Sequence, residues 1–337
     1  MQITEQGCAS ACGGAQGCPM RIGRRGFVAS LGASALALKT GLLDFASTLF
    51  ADQPKPAGKP RVRAVFMRPK KQEDYWMSWP GQGYDAKAHQ ADYTKTLTDA
   101  AKELGVQLEV TAEPLSNQGE VNTFLEQLKQ SPPDGVIVTI MHMGCWGIVN
   151  EFVAKRGDVP TIVFSPMGTS FTGHLQATRQ APKTFVAATQ DYKWLATGLR
   201  MLWTKHLMKN TRLCIVRGKE TKDQVLDGIG TTLHYIPESR YLDAWKKVET
   251  TDEVRAIADY YTKEAKKIVE PKPEDILNAA KAYVIIRQIM AADHCQGIAI
   301  NCLPHVRVFL AAGGPCLAFS KLRDELVVAA CEADWNA

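Results

Sequence analysis

Three observations predict an α/β fold class, with two doubly wound parallel-sheet domains followed by the start of a third. Short β-rich runs alternate with longer amphipathic runs. Gly and Pro punctuate most junctions. The runs "DGVIVTIMHM" and "VPTIVFSPMG" carry few polar residues to expose. A strand buried on both faces reads as a nearly continuous apolar run, and helical segments between strands supply the crossovers that parallel pairing needs.

The first strand is "RVRAVFMRP" (61–69), and 86–104 reads as an amphipathic helix stopped by Gly105. "VQLEVTAEPL" is the next strand, followed by a helix over 118–130 that Ser-Pro-Pro ends. After the apolar strand "DGVIVTIMHM" comes a short helix, 146–155, and then the strand "VPTIVFSPMG". These elements make an N-terminal domain over 61–180. The second domain, 181–295, holds a helix at 192–207, the strand and turn "TRLCIVRGKE" and the strand "TTLHYIPES". Helices follow at 243–249 and 252–270, the latter opened by a Thr-Asp pair suited to capping. A long helix, 274–293, presents Ile276, Leu277, Ala280, Tyr283 and Val284 as its apolar side. Residues 296–337, with "GIAINCLPHVRVFL" and "GGPCLAFSKLRDELVVAACEADWNA", are assigned to the start of a third, C-terminal domain.

The chain begins differently. Arg24 and Arg25 are paired, Phe27 follows, and an apolar stretch runs to Phe50 with Lys39 and Asp44 as its only charges. This is the pattern of a twin-arginine export signal over 1–51, with a Pro-rich linker over 52–60. It predicts a periplasmic or exported location and the twin-arginine export machinery as a partner. Ala51 is a candidate last residue of the signal, but Leu49 breaks the small-x-small rule, which leaves an uncleaved membrane tether as the alternative.

Of 337 residues, 45% are hydrophobic and 22% charged, which is ordinary for a globular protein. The net charge of +5 comes without a basic run interleaved with aromatics, so nucleic acid is excluded as a partner. Nine cysteines divide into Cys8, Cys12 and Cys18 before the arginine pair and six scattered after it. Several of the six sit in apolar runs (Cys214, Cys302, Cys331), which reads as buried thiols rather than a disulfide framework.

Ligands of open α/β sheets bind beyond the carboxyl ends of the strands. The residues there are His142, Ser165, Arg217 with Lys219, and the stretch from Asn301 to His305. His142, Arg217 and His305 are the substrate-binding candidates. "VRGKETKD" lacks the spacing of a phosphate-binding P-loop. Glu332 and Asp334 follow the apolar run "VVAAC". On an extended segment a spacing of two puts both carboxylates on one face, where they suit a divalent cation or general acid/base work; a helix N-terminus would use such a pair equally well.

On "GIAINCL", the long helix 274–293 and "PCLAFSKLRDELVVAACEADWNA", residues from about 61 onward resemble the L-fucose/L-arabinose isomerase superfamily, and more closely its exported sugar isomerase-like members. The resemblance implies aldose–ketose isomerisation of a small-molecule sugar through an enediol. It implies Mn2+ or a similar divalent cation held by Asp334 with Glu332 beside it, these two also being the catalytic pair, and assembly as a homo-oligomer. Two departures stand out. The family's upstream carboxylate ligand falls near "NCLPHVR", which has none, and its histidine-bearing C-terminal domain would begin where this sequence stops. The chain is accordingly expected to be a fragment or to need a partner covering "VVAAC". An exported, non-catalytic carbohydrate-binding protein of two α/β domains is the alternative.

Overall fold

The computed structural model describes residues 58–71 and 85–335. Arg24, Arg25 and Phe27, with the rest of the export signal and most of the linker, lie outside the described residues.

The protein is α/β. The first sheet comprises β1 (Arg61–Met67), β2 (Gln107–Val110), β3 (Gly135–Ile140), β4 (Thr161–Ser165) and β5 (Thr184–Ala188), in the order β2-β1-β3-β4-β5. Every pairing is parallel. Its helices are α1 (Ala86–Leu104), α2 (Gln118–Gln130), α3 (Trp146–Lys155), α4 (Thr172–Gln180) and α5 (Trp194–Lys209). The period-two alternation of side chains sorts β1 cleanly. Val62, Ala64 and Phe66 pack with Leu97 of α1 and Leu195, Leu199 and Leu202 of α5. Val65 and Met67 pack with Phe124 of α2, Phe152 of α3 and Leu175 of α4. Two apolar clusters therefore clothe both faces, and full burial of each large side chain contributes about 1.5–3 kcal/mol.

The helices begin and end where local chemistry says they should. The Asp85 carboxylate accepts from the Ala88 N–H (2.9 Å) at the start of α1, and Gly105, at φ 69°, closes it with an N–H to the Ala101 carbonyl. The Asn117 side chain accepts from the Glu120 N–H (3.1 Å) to open α2.

The second sheet comprises β6 (Arg212–Val216), β7 (Lys222–Val225), β8 (Thr232–Ile236), β9 (Gly297–Ile300) and β10 (Val328–Cys331), in the order β10-β9-β6-β8-β7. β7 pairs antiparallel to β8; the remaining pairs are parallel. Helices α6 (Glu238–Lys247), α7 (Asp252–Glu264), α8 (Pro273–Ala292), α9 (Val306–Ala311) and α10 (Cys316–Asp324) share one core with Cys214, Val216, Ile236, Ile298 and Ile300. The opposite face carries a smaller cluster of Leu213, Ile215, Leu233, Ala299, Ala330 and Ala333, to which, among the described residues, no helix contributes. Gly313, at φ 81°, lets the α9–α10 turn pass α8: a Cβ there would lie 2.4 Å from the Asn278 carbonyl oxygen.

The sheets divide the chain differently from the domains expected at 180/181 and 295/296. β5 pairs with β4, and α5 packs on the first sheet, so the change of sheet falls between α5 and β6. The strands expected to begin a third domain, β9 and β10, lie in the second sheet. β9 is wholly buried between β6 and β10, and β10 completes the sheet as an edge strand. Two helices also shift: α6 starts a full turn before the expected 243, behind Pro237, and α7 stops at Glu264, after which the chain runs exposed, Ile268 and Val269 included.

Candidate functional site

In the second sheet the strand order reverses between β6 and β9, the position at which open α/β sheets form a crevice. The chain leaves β6 through Arg217 and Gly218, and the Arg217 N–H donates to the Ile236 carbonyl of β8 (3.0 Å). Gly218 takes φ 77°, and its carbonyl accepts from the Glu238 N–H (3.1 Å) at the start of α6. On the other side of the reversal the Asn301 N–H donates to the Val216 carbonyl (3.0 Å), and the Ala333 N–H to that of Ile300 (3.1 Å). These main-chain bonds fix the ends of β6, β8, β9 and β10 in one row.

Side chains of both signs meet on that row. His305 Nε2 lies 3.4 Å from Glu238 Oε2; the histidine is exposed, the carboxylate largely covered. Arg217 and Glu332 are exposed and Asn301 is half-buried. Cys302 Sγ stands 3.8 Å from Cys331 Sγ. The arrangement supplies an exposed guanidinium donor at Arg217, a carboxylate acceptor at Glu238, and a histidine able to do either.

Of the expected binding residues, Arg217 and His305 share this edge. His142 does not: it follows β3 of the first sheet, where its Nδ1 accepts from the Gly144 N–H (3.0 Å) and caps the short turn into α3. Ser165, at the end of β4, is buried. Its hydroxyl bonds Thr169 Oγ1 and Ser170 Oγ, each at 2.9 Å, while the Trp146 indole donates to the Thr169 carbonyl (2.7 Å). At this end of the first sheet His142, Ser165 and Trp146 are engaged in holding the loops together.

The carboxylate pair also differs from its expected geometry. Glu332 and Ala333 have φ of 59° and 57°, so the chain turns immediately after β10, and the Asp334 N–H donates back to the Cys331 carbonyl (2.9 Å). The same-face argument needed an extended segment and does not apply. Both carboxylates are exposed. Among the described residues, no three His, Cys, Asp or Glu side chains converge on a position that could hold a metal ion. A Mn2+-type ion takes about six oxygen or nitrogen donors. Among the described residues, Glu332 and Asp334 do not by themselves make up such a donor set.

Sequence reasoning passed over Glu238. Its signal was available: it ends "TTLHYIPES", a strand as plain as the four whose ends were read. No feature of the sequence pairs Cys302 with Cys331, since their contact depends on β9 and β10 being neighbours. A further crevice of about 640 Å3 lies at the opposite, amino end of the first sheet, between Pro132, Arg156 and Lys205 and the β7–β8 turn at Ile229. Its buried Arg156 is already engaged by Thr161 Oγ1 (2.6 Å) and the Pro182 carbonyl (2.6 Å). No helix among the described residues is long and apolar enough to cross a membrane. No protein-family model matches the sequence, and no curated protein matches it.

Proposed function

We propose that the chain is a carbohydrate-binding protein that takes a small polyhydroxylated ligand at the carboxyl edge of the second sheet. The observation that carries this reading is the placement of Arg217, Glu238, Asn301 and His305 on the row of strand ends at the reversal between β6 and β9, with His305 against Glu238. Hydroxyl groups of a polyol both donate and accept, and charged or amide side chains held by rigid strand ends match them with little ordering cost on binding. Leu303 and Val306, exposed beside His305, offer apolar surface for the C–H face of a sugar ring.

Isomerase activity is the second reading, favoured by the resemblance carried in "GIAINCL" and the closing segment. It assigns Glu332 and Asp334 as the acid/base pair, Arg217, His142 and His305 to the substrate, and Mn2+ as cofactor. The donor set described above speaks against the cation. The proposed setting is an exported one, periplasmic or membrane-tethered, reached through Arg24, Arg25 and Phe27, with a homo-oligomer as the working form.

Titration calorimetry with a panel of aldoses, ketoses and alditols tests the proposal. Saturable binding of at least one member, weakened about tenfold in Arg217→Ala and also in Glu238→Gln, supports it; equal binding by wild type and both variants overturns it. Proton NMR of the same sugars with enzyme and added Mn2+ separates the readings. Aldose–ketose conversion that requires Asp334 would install the isomerase in place of the binding protein.

A further inference from the structure

We infer that Cys302 and Cys331 form a disulfide site that clips the edge strand β10 to β9 beside the candidate binding edge. The inference rests on the strand geometry and not on the identity of any ligand.

The two sulfurs are already in contact at 3.8 Å. β9 and β10 are parallel neighbours with Cys331 opposite Ile300. Cys302 lies two residues past Ile300, and the two thiols meet across the neighbouring strand ends. The side-chain directions agree as well. Ala329 packs in the same core as Ile298, Ile300 and Cys302, and Cys331, two residues on, points to the same side of the sheet. Past Ile300 the chain does not continue as strand: Cys302 adopts φ −88°, ψ −22°, and its N–H donates back to the Ile300 carbonyl (3.1 Å). That turn keeps its thiol over the end of β9, within reach of β10.

The pair is asymmetric. Cys331 is exposed on the edge strand, while Cys302 is buried against the helical layer. Burial pushes the Cys302 thiol up to about 11. Cys331 is therefore the attacking group and Cys302 the resolving one. With an external disulfide RS–SR as oxidant, the Cys331 thiolate attacks one sulfur, forming Cys331–S–S–R and releasing RS−. The Cys302 thiolate then attacks Cys331 Sγ, forming the intramolecular bond and releasing the second RS−. The two protein thiols lose two electrons and two protons; the oxidant gains both and leaves as two RSH. A disulfide exchange partner of this kind is general to oxidising compartments.

The consequence is mechanical. β10 is an edge strand with Val328 half exposed, and the turn that carries Glu332 and Asp334 leaves directly from Cys331. A covalent tie at that point fixes this turn relative to Asn301 and the end of β9. Single cross-linking of neighbouring strands is compatible with the remaining cysteines staying free. Cys316, exposed on α10 and close enough to Cys302 to influence its titration, is the competing partner.

The full chain, purified reduced, is equilibrated with oxidised glutathione, quenched in acid, digested with trypsin and mapped by mass spectrometry without reduction. Trypsin places Cys302 in 288–307, Cys316 in 308–321 and Cys331 in 324–337. The expected result is a linked 288–307/324–337 species two hydrogens lighter than its parts. It persists in Cys295→Ser and Cys316→Ser and disappears in Cys331→Ser, a surface change that leaves the core intact. In Cys302→Ser, Cys331 is expected to be trapped as its glutathione adduct. Three results would overturn the inference: Cys331 remaining a thiol, Cys331 stopping at the glutathione adduct in the wild type, or Cys331 linked to 308–321.

Discussion

The two sheets share parallel pairing and a reversal of strand order, yet they differ in what covers them and in what their carboxyl ends do. The first is clothed on both faces by separate apolar clusters, and its strand-end polar groups bond one another: Ser165 with Thr169 and Ser170, Trp146 with Thr169, His142 with the next turn. In the second, all the helices lie on one face, and the strand ends present Arg217, His305 and Glu332 to solvent. Strand-end position alone is thus a weak guide to function. What distinguishes a site is whether the polar groups there are consumed in holding the loops, and among the described residues the second sheet leaves Arg217, His305 and Glu332 presented.

The comparison can be broken first at the level of stability. Phe152→Ala, in the fully buried core of the first sheet, is expected to cost about 3–5 kcal/mol in denaturant unfolding. The second sheet depends additionally on a polar network: the Asp293 carboxylate accepts two bonds from Arg240 (2.7 and 2.8 Å) and lies 3.6 Å from His234 Nε2, both acid and histidine being mostly covered. Asp293→Ala removes the carboxylate that holds the Arg240 guanidinium through two bonds and is expected to cost about 2 kcal/mol, the guanidinium being partly exposed. If it proves neutral while Phe152→Ala does not, the second sheet is held by its apolar layer alone.

Next in size is Gly313→Ala, expected to cost about 2 kcal/mol, because a Cβ at positive φ would also collide with the Asn278 carbonyl. A thermal melt unchanged from wild type would show that the α9–α10 turn can move away from α8.

Acid sensitivity separates the sheets at a finer level. The hydrogen bond from Lys70, then that from the Ser116 N–H, pulls the Glu120 carboxyl of α2 down to about 2. A carboxylate whose folded value lies below its unfolded one stabilises the fold above the unfolded value. That stabilisation is lost as the pH falls through the folded value, here between about 4.5 and 2. In the second sheet, Arg212 and then His234 lower the Asp223 carboxyl in the same sense. Glu120→Gln and Asp223→Asn should each flatten the acid limb of the stability–pH curve by lowering stability at neutral pH, modestly because both sites are partly exposed, while leaving it nearly unchanged at the acid end. A limb of unchanged slope in either variant would remove that carboxylate from the account.

The smallest stability effects belong to the site itself. Arg217→Ala should change stability by less than about 0.5 kcal/mol yet weaken sugar binding about tenfold, read by calorimetry. His142→Ala, by contrast, should leave binding untouched and lose up to about 1 kcal/mol of capping.

Much of the fold was legible because local signals and tertiary packing agree. Helices α1, α2 and α3 sit at the bounds set by Gly105, by Ser-Pro-Pro and by the turn before Trp146. The boundary at 180/181 was misplaced because a strand shows its type in sequence but not its neighbours, and β5 declares its sheet only by pairing with β4. For the same reason "GIAI" and the "VAAC" of "VVAAC", strands of four residues, carry no mark that they belong to the second sheet. At the site, Arg217 and His305 could be read from strand ends. The geometry of Glu332 could not: two consecutive residues at positive φ without glycine leave no compositional trace.

Hydrogen–deuterium exchange in the presence of the tightest-binding sugar tests the central claim most directly, because it locates the ligand rather than merely detecting it. The account predicts slowed exchange at 217–219, at the start of α6 and across 301–306, with the first sheet unchanged. Protection confined to the turn after β3 around His142, or to the crevice at the amino end of the first sheet, would contradict it.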